Sequence, residues 1–254
     1  MSKDTVILIK ELAHKLKEAQ KVVVLTGAGT SAESGVPTFR DAQTGLWAKY
    51  DPTELATPEA FQRNPRLVWE WYSWRRELVT KAKPNPGHLA LVQMQKYVPE
   101  LILITQNVDN LHQRAGNKAV IELHGNLLRT KCAEGGYLVS SWPPTEEVPP
   151  RCPNCGELLR PDVVWFGEML PKDALVQALT ASRQCDLFFS IGTSSLVHPA
   201  ASLPLEALKH GAKVVEINPE ATPLTSQVDI VYGKAGNVLP TLMQYLENID
   251  DLEI

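Results

Sequence analysis

Two hydrophobic rhythms alternate along the chain. The first places Ile7, Leu8, Leu12 and Leu16 at helical spacing, which predicts an amphipathic helix over residues 4–20. The second is an unbroken apolar run, Val22-Val23-Val24-Leu25, bracketed by Lys21 and Thr26 and closed by Gly27. A continuous β-branched run suits a strand buried on both faces, as in a parallel sheet. Similar runs recur at 101–105, 186–191, 213–217 and 228–231, with helix-like stretches at 88–97, 171–184, 199–210 and 236–246 between and after them. Strands alternating with helices predict βαβ units and an α/β, doubly wound parallel sheet.

Two regions break the alternation. Residues 45–83 hold no buried-strand run, only helical pattern with Trp69, Trp71, Tyr72 and Trp74 close together. Residues 127–168 are rich in Pro and Cys. Both read as insertions into the α/β frame.

Composition changes this picture little. The 254 residues are 44% hydrophobic and 21% charged, and the formal charge of −4 gives no footprint for nucleic acid. No run approaches a membrane span, and the charged first twenty residues lack the apolar core of a signal peptide. The expectation is a cytoplasmic protein with no nucleic-acid or membrane partner. Three of the four cysteines, Cys132, Cys152 and Cys155, fall within 24 residues, which in a reducing compartment suggests a metal or catalytic role. Cys185 is expected apart from them, near a strand start.

Gly27-Ala28-Gly29-Thr30-Ser31-Ala32 follows the first strand. Glycines there permit a tight turn and close approach of backbone N–H groups to a pyrophosphate. A dehydrogenase would also want an acidic residue at the end of a second strand about 20 positions on. Asp51 and Glu54 lie at that distance without a preceding strand, so the pattern suits a dinucleotide site but disfavours hydride transfer. Gln106, Asn107 and Asp109 follow the 101–105 run and are open to two readings, a ligand site or an Asx turn. His124, after the apolar segment 119–123, is expected at a strand end.

Glu33-Ser34-Gly35-Val36-Pro37-Thr38-Phe39-Arg40, Gln106-Asn107-Val108-Asp109, Glu122-Leu123-His124-Gly125, Gly192-Thr193-Ser194, Asn218-Pro219-Glu220 and Gly233-Lys234-Ala235 resemble, in order, the motifs of the sirtuins, NAD-dependent protein lysine deacylases. The resemblance runs from about residue 20 to residue 245. It implies a Rossmann-like large lobe (1–44, 84–126 and 169–254) and a small lobe made of a helical insertion (45–83) and a zinc-ribbon-like insertion (127–168). NAD would contact residues 27–31, 33–35, 37–40, 106–109, 192–194, 218–220 and 235. His124, Asn107 and Asp109 would be catalytic. By that resemblance the acyl oxygen attacks the anomeric carbon of NAD, nicotinamide leaves, and His124 activates the ribose hydroxyl that captures the imidate. The products are free lysine, nicotinamide and O-acyl-ADP-ribose. Phe39 would exclude water, and Arg40 would hold the cofactor.

Tyr72 and Arg75 match a Tyr-x-x-Arg pattern of the family's class III members and would share a helix face over 67–79. There they could clamp the carboxylate of succinyl- or malonyl-lysine, with acetyl-lysine also accepted; alternatively Arg75 and Arg76 form only a charged outer face. Phe166, Gly167 and Glu168 match the segment that pairs with acyl-lysine substrate as an added strand. Alternatives to a deacylase are an ADP-ribosyltransferase and an idle NAD or ADP-ribose sensor. A zinc ribbon wants two C-x-x-C pairs. Here Cys152 and Cys155 form one, but Cys132 is followed at 135 by Gly. Zinc with a weak or external fourth ligand, fractional zinc and a metal-free ribbon all stay open.

Overall fold

The computed structural model describes residues 3–38 and 50–249. Helix α1 (Lys3–Glu18) leads into β1 (Lys21–Thr26), and a short helix α2 (Ala28–Ala32) follows. Ile9, Leu12, Ala13 and Leu16 form the buried face of α1. Ile7, expected there, is exposed, because the i, i+3, i+4, i+7 stripe starts at Ile9.

The other sheet strands are β2 (Glu100–Thr105), β3 (Val120–Glu122), β6 (Leu187–Ile191), β7 (Lys213–Asn218) and β8 (Asp229–Tyr232). Their order is β3-β2-β1-β6-β7-β8, and every pairing is parallel. The doubly wound expectation is therefore met, with β3 as a short sixth strand. Helices α1, α6 (Pro86–Met94) and α10 (Ala235–Glu247) cover one face, where Leu91, Met94, Leu239 and Leu242 meet Val22, Val24 and Phe189. On the other face α8 (Lys172–Gln184) and α9 (Leu203–Lys209) bring Ala178, Leu203 and Ala207 against Val23, Leu25 and Phe188. Burial on both faces is what the continuous apolar runs required. The expected helix over 199–210 begins instead as a 3₁₀ turn, Ala200–Ser202, and becomes α-helical at Leu203.

The region after residue 50 forms three helices, α3 (Pro52–Leu55), α4 (Pro58–Arg63) and α5 (Pro65–Lys81). Each starts with Pro after a capping side chain from Asp51, Thr57 or Asn64, so local sequence alone sets the three starts. Their apolar faces, with Trp71, Tyr72 and Phe61, close on Trp165, Leu127 and Val163 in a separate cluster. The last two belong to an antiparallel pair, β4 (Gly125–Cys132) and β5 (Leu159–Val163). Arg76 ties α5 to β4, donating to the Leu127 and Arg129 carbonyls and to Thr130 Oγ1.

Parallel strands put all their carboxyl ends on one edge. Gly27, Gln106, Gly192 and Gly233 each leave a strand there, with His124 just past β3 and Asn218 closing β7. Motifs spread over the whole sequence thus converge on one rim.

Candidate active site

The rim is tightest where strand order reverses, between β1 and β6. Gly27 N–H donates to the Ile191 carbonyl at 3.0 Å, and Gly29 N–H to the Gly192 carbonyl at 2.9 Å. A Cβ on Gly29 would stand 2.8 Å from the Gly192 oxygen. One on Gly192, where φ is +60°, would reach 2.5 Å from the Thr30 nitrogen. Glycine is demanded here by backbone against backbone. Thr30 Oγ1 adds a bond to the Ile191 carbonyl at 3.1 Å. The first turn of α2 has no acidic side chain. The N–H groups of Gly27, Gly29 and Thr30 are engaged within these turns, so the other peptide groups and hydroxyls of the turn, with no competing carboxylate in the first turn of α2, are what fits a pyrophosphate. The donor set therefore suits NAD. Ser34, Gly35, Pro37 and Thr38 continue from α2; Asn85 Nδ2 holds that stretch by donating to the Thr30 carbonyl and Ser34 Oγ. Phe39 and Arg40 lie outside the described residues.

The far wall is built from β6, β7 and α10. Ser195 N–H donates to Thr193 Oγ1 at 2.9 Å, and Asn218 Nδ2 to the Thr193 carbonyl at 2.7 Å. Ser194 sits inside that bracket, while Pro219 and Glu220 continue exposed from Asn218. Glu33 accepts from Gly236 N–H at 2.8 Å, so the carboxylate meets the first turn of α10, which opens at Ala235.

At the end of β2, one hydrogen-bonded chain joins three motifs. Asn107 Nδ2 donates to the Gly27 carbonyl (3.0 Å) and to Ser31 Oγ (3.1 Å), and Ser31 lies close enough to Asp109 to lower its pKa. Asp109 Oδ1 also accepts from Leu111 N–H at 2.9 Å, at the start of the short helix α7 (Leu111–Ala115). The Asx geometry is therefore present and coexists with a site role. Burial raises the Asp109 pKa, and its hydrogen bonds with Leu111 and Ser31 oppose the rise. Val108 gives its carbonyl to Leu127 N–H. Ser31 had no signal of its own in the sequence beyond its place in the glycine turn.

His124 stands past β3, as expected. Its Nδ1 lies 3.0 Å from the Gln106 carbonyl. A carbonyl only accepts, so Nδ1 carries the proton, and in the neutral ring the Nε2 lone pair remains for a substrate. Burial lowers the pKa of this imidazole, partly offset by the Gln106 bond. A neutral imidazole with a fixed tautomer is equipped to act as a general base.

Tyr72 and Arg75 share the buried face of α5. The charged outer face suggested for Arg75 is overturned: the side chain is 5% exposed, with its guanidinium 5.2 Å from the Trp71 ring centroid. Helical phase puts residue 75 with 68, 71, 72 and 79, so Trp71 and Arg75 face the same core. Burial lowers the Arg75 pKa, while Tyr72 and Asp109 act on it in the opposite sense. Arg75 is therefore within electrostatic reach of both the tyrosine and the β2 motif.

Phe166 is exposed, and its N–H donates to the Ala56 carbonyl at 2.8 Å. Gly167 follows with φ +87°. Glu168 turns inward, accepting from Arg160 at 2.6 and 2.9 Å and from Trp165 N–H. Its carboxylate is thus engaged within the chain. The partner, Arg160, stacks 3.2 Å over Trp165 and carried no sequence signal.

Cys132, Cys152 and Cys155 come together with their sulfurs all within 4.8 Å of one another. Cys185 is buried elsewhere, just ahead of β6, and burial pushes its thiol up to about 11. Three convergent thiols fit a thiophilic ion such as zinc, which would pin β4 to the turn before β5.

The Sir2 family model matches residues 27–199. An NAD-dependent protein deacylase of Aquifex aeolicus is 54% identical over 231 residues, covering 90% of this chain and 96% of that protein. A crystal structure of a Sir2 homolog–NAD complex superposes with a TM-score of 0.87 at 46% identity, covering 94% of each chain. A Sir2–p53 peptide–NAD+ structure gives 0.81 at 33% identity, covering 93% of this chain and 97% of that one. The parallel sheet is thus the Rossmann-like fold of Sir2 homologues, with NAD as the cofactor. The chain belongs to the Sir2 family.

Proposed function

We propose that this protein removes acyl groups from protein lysine with NAD as co-substrate, and that it favours acyl groups ending in a carboxylate, succinyl and malonyl, over acetyl. The activity for which the relatives are named and the fixed tautomer of His124 support the first part. The burial of Tyr72 and Arg75 on one face of α5, within reach of Asp109, carries the second.

Bound NAD supplies a ribose from which nicotinamide departs and to which the acyl group passes. Around it the chain's own groups divide the work. Residues 27–35 and 192–194 would hold the pyrophosphate through their hydroxyls and the peptide groups not engaged in the turn itself, while Asn218 shapes the wall beside them. Asn107, its NH2 held by Gly27 and Ser31, would turn its amide oxygen to the nicotinamide end. Asp109 supplies negative charge where positive charge develops on the ribose. His124 Nε2 takes the hydroxyl proton, and Nδ1 remains bonded to Gln106 throughout. Substrate backbone pairs alongside 165–168 as an added strand; the N–H groups of Trp165, Phe166 and Glu168 are held within the chain, so Gly167 and the carbonyls of this stretch carry the pairing. A desolvated guanidinium and a phenol on one face give a terminal carboxylate charge-assisted bonds that an acetyl group cannot use.

The test is NAD-dependent nicotinamide release from one peptide in acetyl and succinyl forms, compared by kcat/KM. Succinyl preference is expected, and Arg75→Met should reduce desuccinylation by about tenfold or more, with deacetylation far less affected. Equal losses on both substrates would make Arg75 structural. NAD binding without turnover of either peptide would sink the deacylase reading.

A further inference from the structure

The two turns that carry the clustered cysteines have one backbone plan. Cys132 begins the first and Cys152 the second. Gly136 N–H donates to the Cys132 carbonyl at 3.1 Å, and Gly156 N–H to the Cys152 carbonyl at 2.9 Å. Both glycines have positive φ, +68° and +80°. In the second turn the fourth position is Cys155. In the first it is Gly135, whose N–H points to Cys132 Sγ at 3.3 Å. One corner of a four-ligand cage is therefore missing its thiol.

That corner is filled. A Cβ built on Gly135 would stand 2.3 Å from Cε1 and 2.7 Å from Cδ1 of Tyr137, so the tyrosine ring occupies the path that a cysteine side chain would take. The ring ends with its hydroxyl over the sulfurs, 3.0 Å from Cys152 Sγ and 3.5 Å from Cys155 Sγ. Cys132 and Cys155 have their sulfurs 3.4 Å apart. A tetrahedral ion with zinc–sulfur bonds of about 2.3 Å and a zinc–oxygen bond of about 2.0 Å needs sulfur–sulfur edges near ~3.8 Å and sulfur–oxygen edges near ~3.5 Å. Three of the six edges, Cys132–Cys155, Tyr137–Cys152 and Tyr137–Cys155, lie within about half an ångström of those values, and all three sulfurs are within 4.8 Å of one another.

We propose that Tyr137 is the fourth metal ligand of this chain, joining the three cysteines in a tetrahedral zinc site through its phenolate oxygen. As the ion enters, the thiols and the phenol release their protons to solvent and form three Zn–S bonds and one Zn–O bond. Gly135 is part of the arrangement, since a side chain there and the Tyr137 ring exclude one another.

Full-length protein, stripped and then titrated with Zn2+ against a chromophoric chelator, tests this. Wild type should take one equivalent and develop the near-ultraviolet difference band of a tyrosinate. Tyr137→Phe should lose that band and bind zinc about tenfold or more weakly. The double variant Gly135→Cys/Tyr137→Ala, which removes the ring and restores a fourth thiol, should recover the affinity without the band. Two results would overturn the assignment: wild-type affinity in Tyr137→Phe, or stoichiometric zinc in wild type with no tyrosinate band. Failure of wild type to bind zinc would overturn it as well.

Discussion

His124 does not choose its own tautomer; the Gln106 carbonyl, 3.0 Å away, does. That contact joins the ends of β2 and β3, so the strand pairing of Thr105 with Glu122 becomes a chemical instruction. Replacing the ring removes the proposed base. His124→Tyr is expected to lower kcat by about 10²–10⁴-fold, with NAD affinity, read by calorimetry, largely kept. Burial holds the imidazole pKa below its ordinary 6.5, and the base works unprotonated. The kcat/KM profile should therefore rise through a midpoint below 6.5 and be flat by neutral pH; a midpoint above 6.5 would contradict this. Ser31, expected from the resemblance only as a cofactor contact, gains a second role in three dimensions. Nothing marks it out from Thr30 in the sequence, but its hydroxyl stands between Asn107 and Asp109.

Elements carry the site through two close approaches. The turns after β1 and β6 interlock with no room for a methyl, so Gly29→Ala should force the Gly192 backbone away. Loss of NAD binding is expected, together with about 1–3 kcal/mol of stability, checked by isothermal titration and urea unfolding. Arg76 makes the second link. Arg76→Ala leaves the Leu127 and Arg129 carbonyls short of a donor and should cost about 1–3 kcal/mol, read in the same unfolding experiment. At this scale the sequence was informative where pattern and function coincide. The buried strands announced themselves because both faces are covered, and the glycine turn because only glycine fits. Strands β4 and β5 did not, since their residues alternate weakly and their register slips between Asn126 and Thr130. Arg75 was ambiguous for a physical reason: an arginine on an amphipathic helix is read as exposed until the packing partner, here Trp165 and its neighbours, is known. Tyr137 was invisible because it lies two positions beyond the spacing that a cysteine pair would obey.

The molecule as a whole buries two imidazoles beneath the rim. His88 and His112 sit with ring centroids 4.7 Å apart, and burial lowers their pKa values from 6.5 to about 4 and about 3. Both are depressed, so the unfolded chain binds more protons between those values and 6.5. Their contribution to stability is complete above about 6.5 and is lost as pH falls toward 4 and then 3. Urea midpoints measured from about pH 7 down to about pH 4 should decline, and His112→Gln should flatten the decline. No helix among the described residues is long and apolar enough to cross a membrane. The switch point has a consequence in time as well as in space. Thr30 and Ile191 are hydrogen-bonded across 161 positions, so the amino-terminal half of the pyrophosphate cradle is made early in synthesis but has nothing to close against. Until the ribosome has delivered β6, the nascent chain has no cradle for its dinucleotide, and NAD cannot act as a template for the first half of folding.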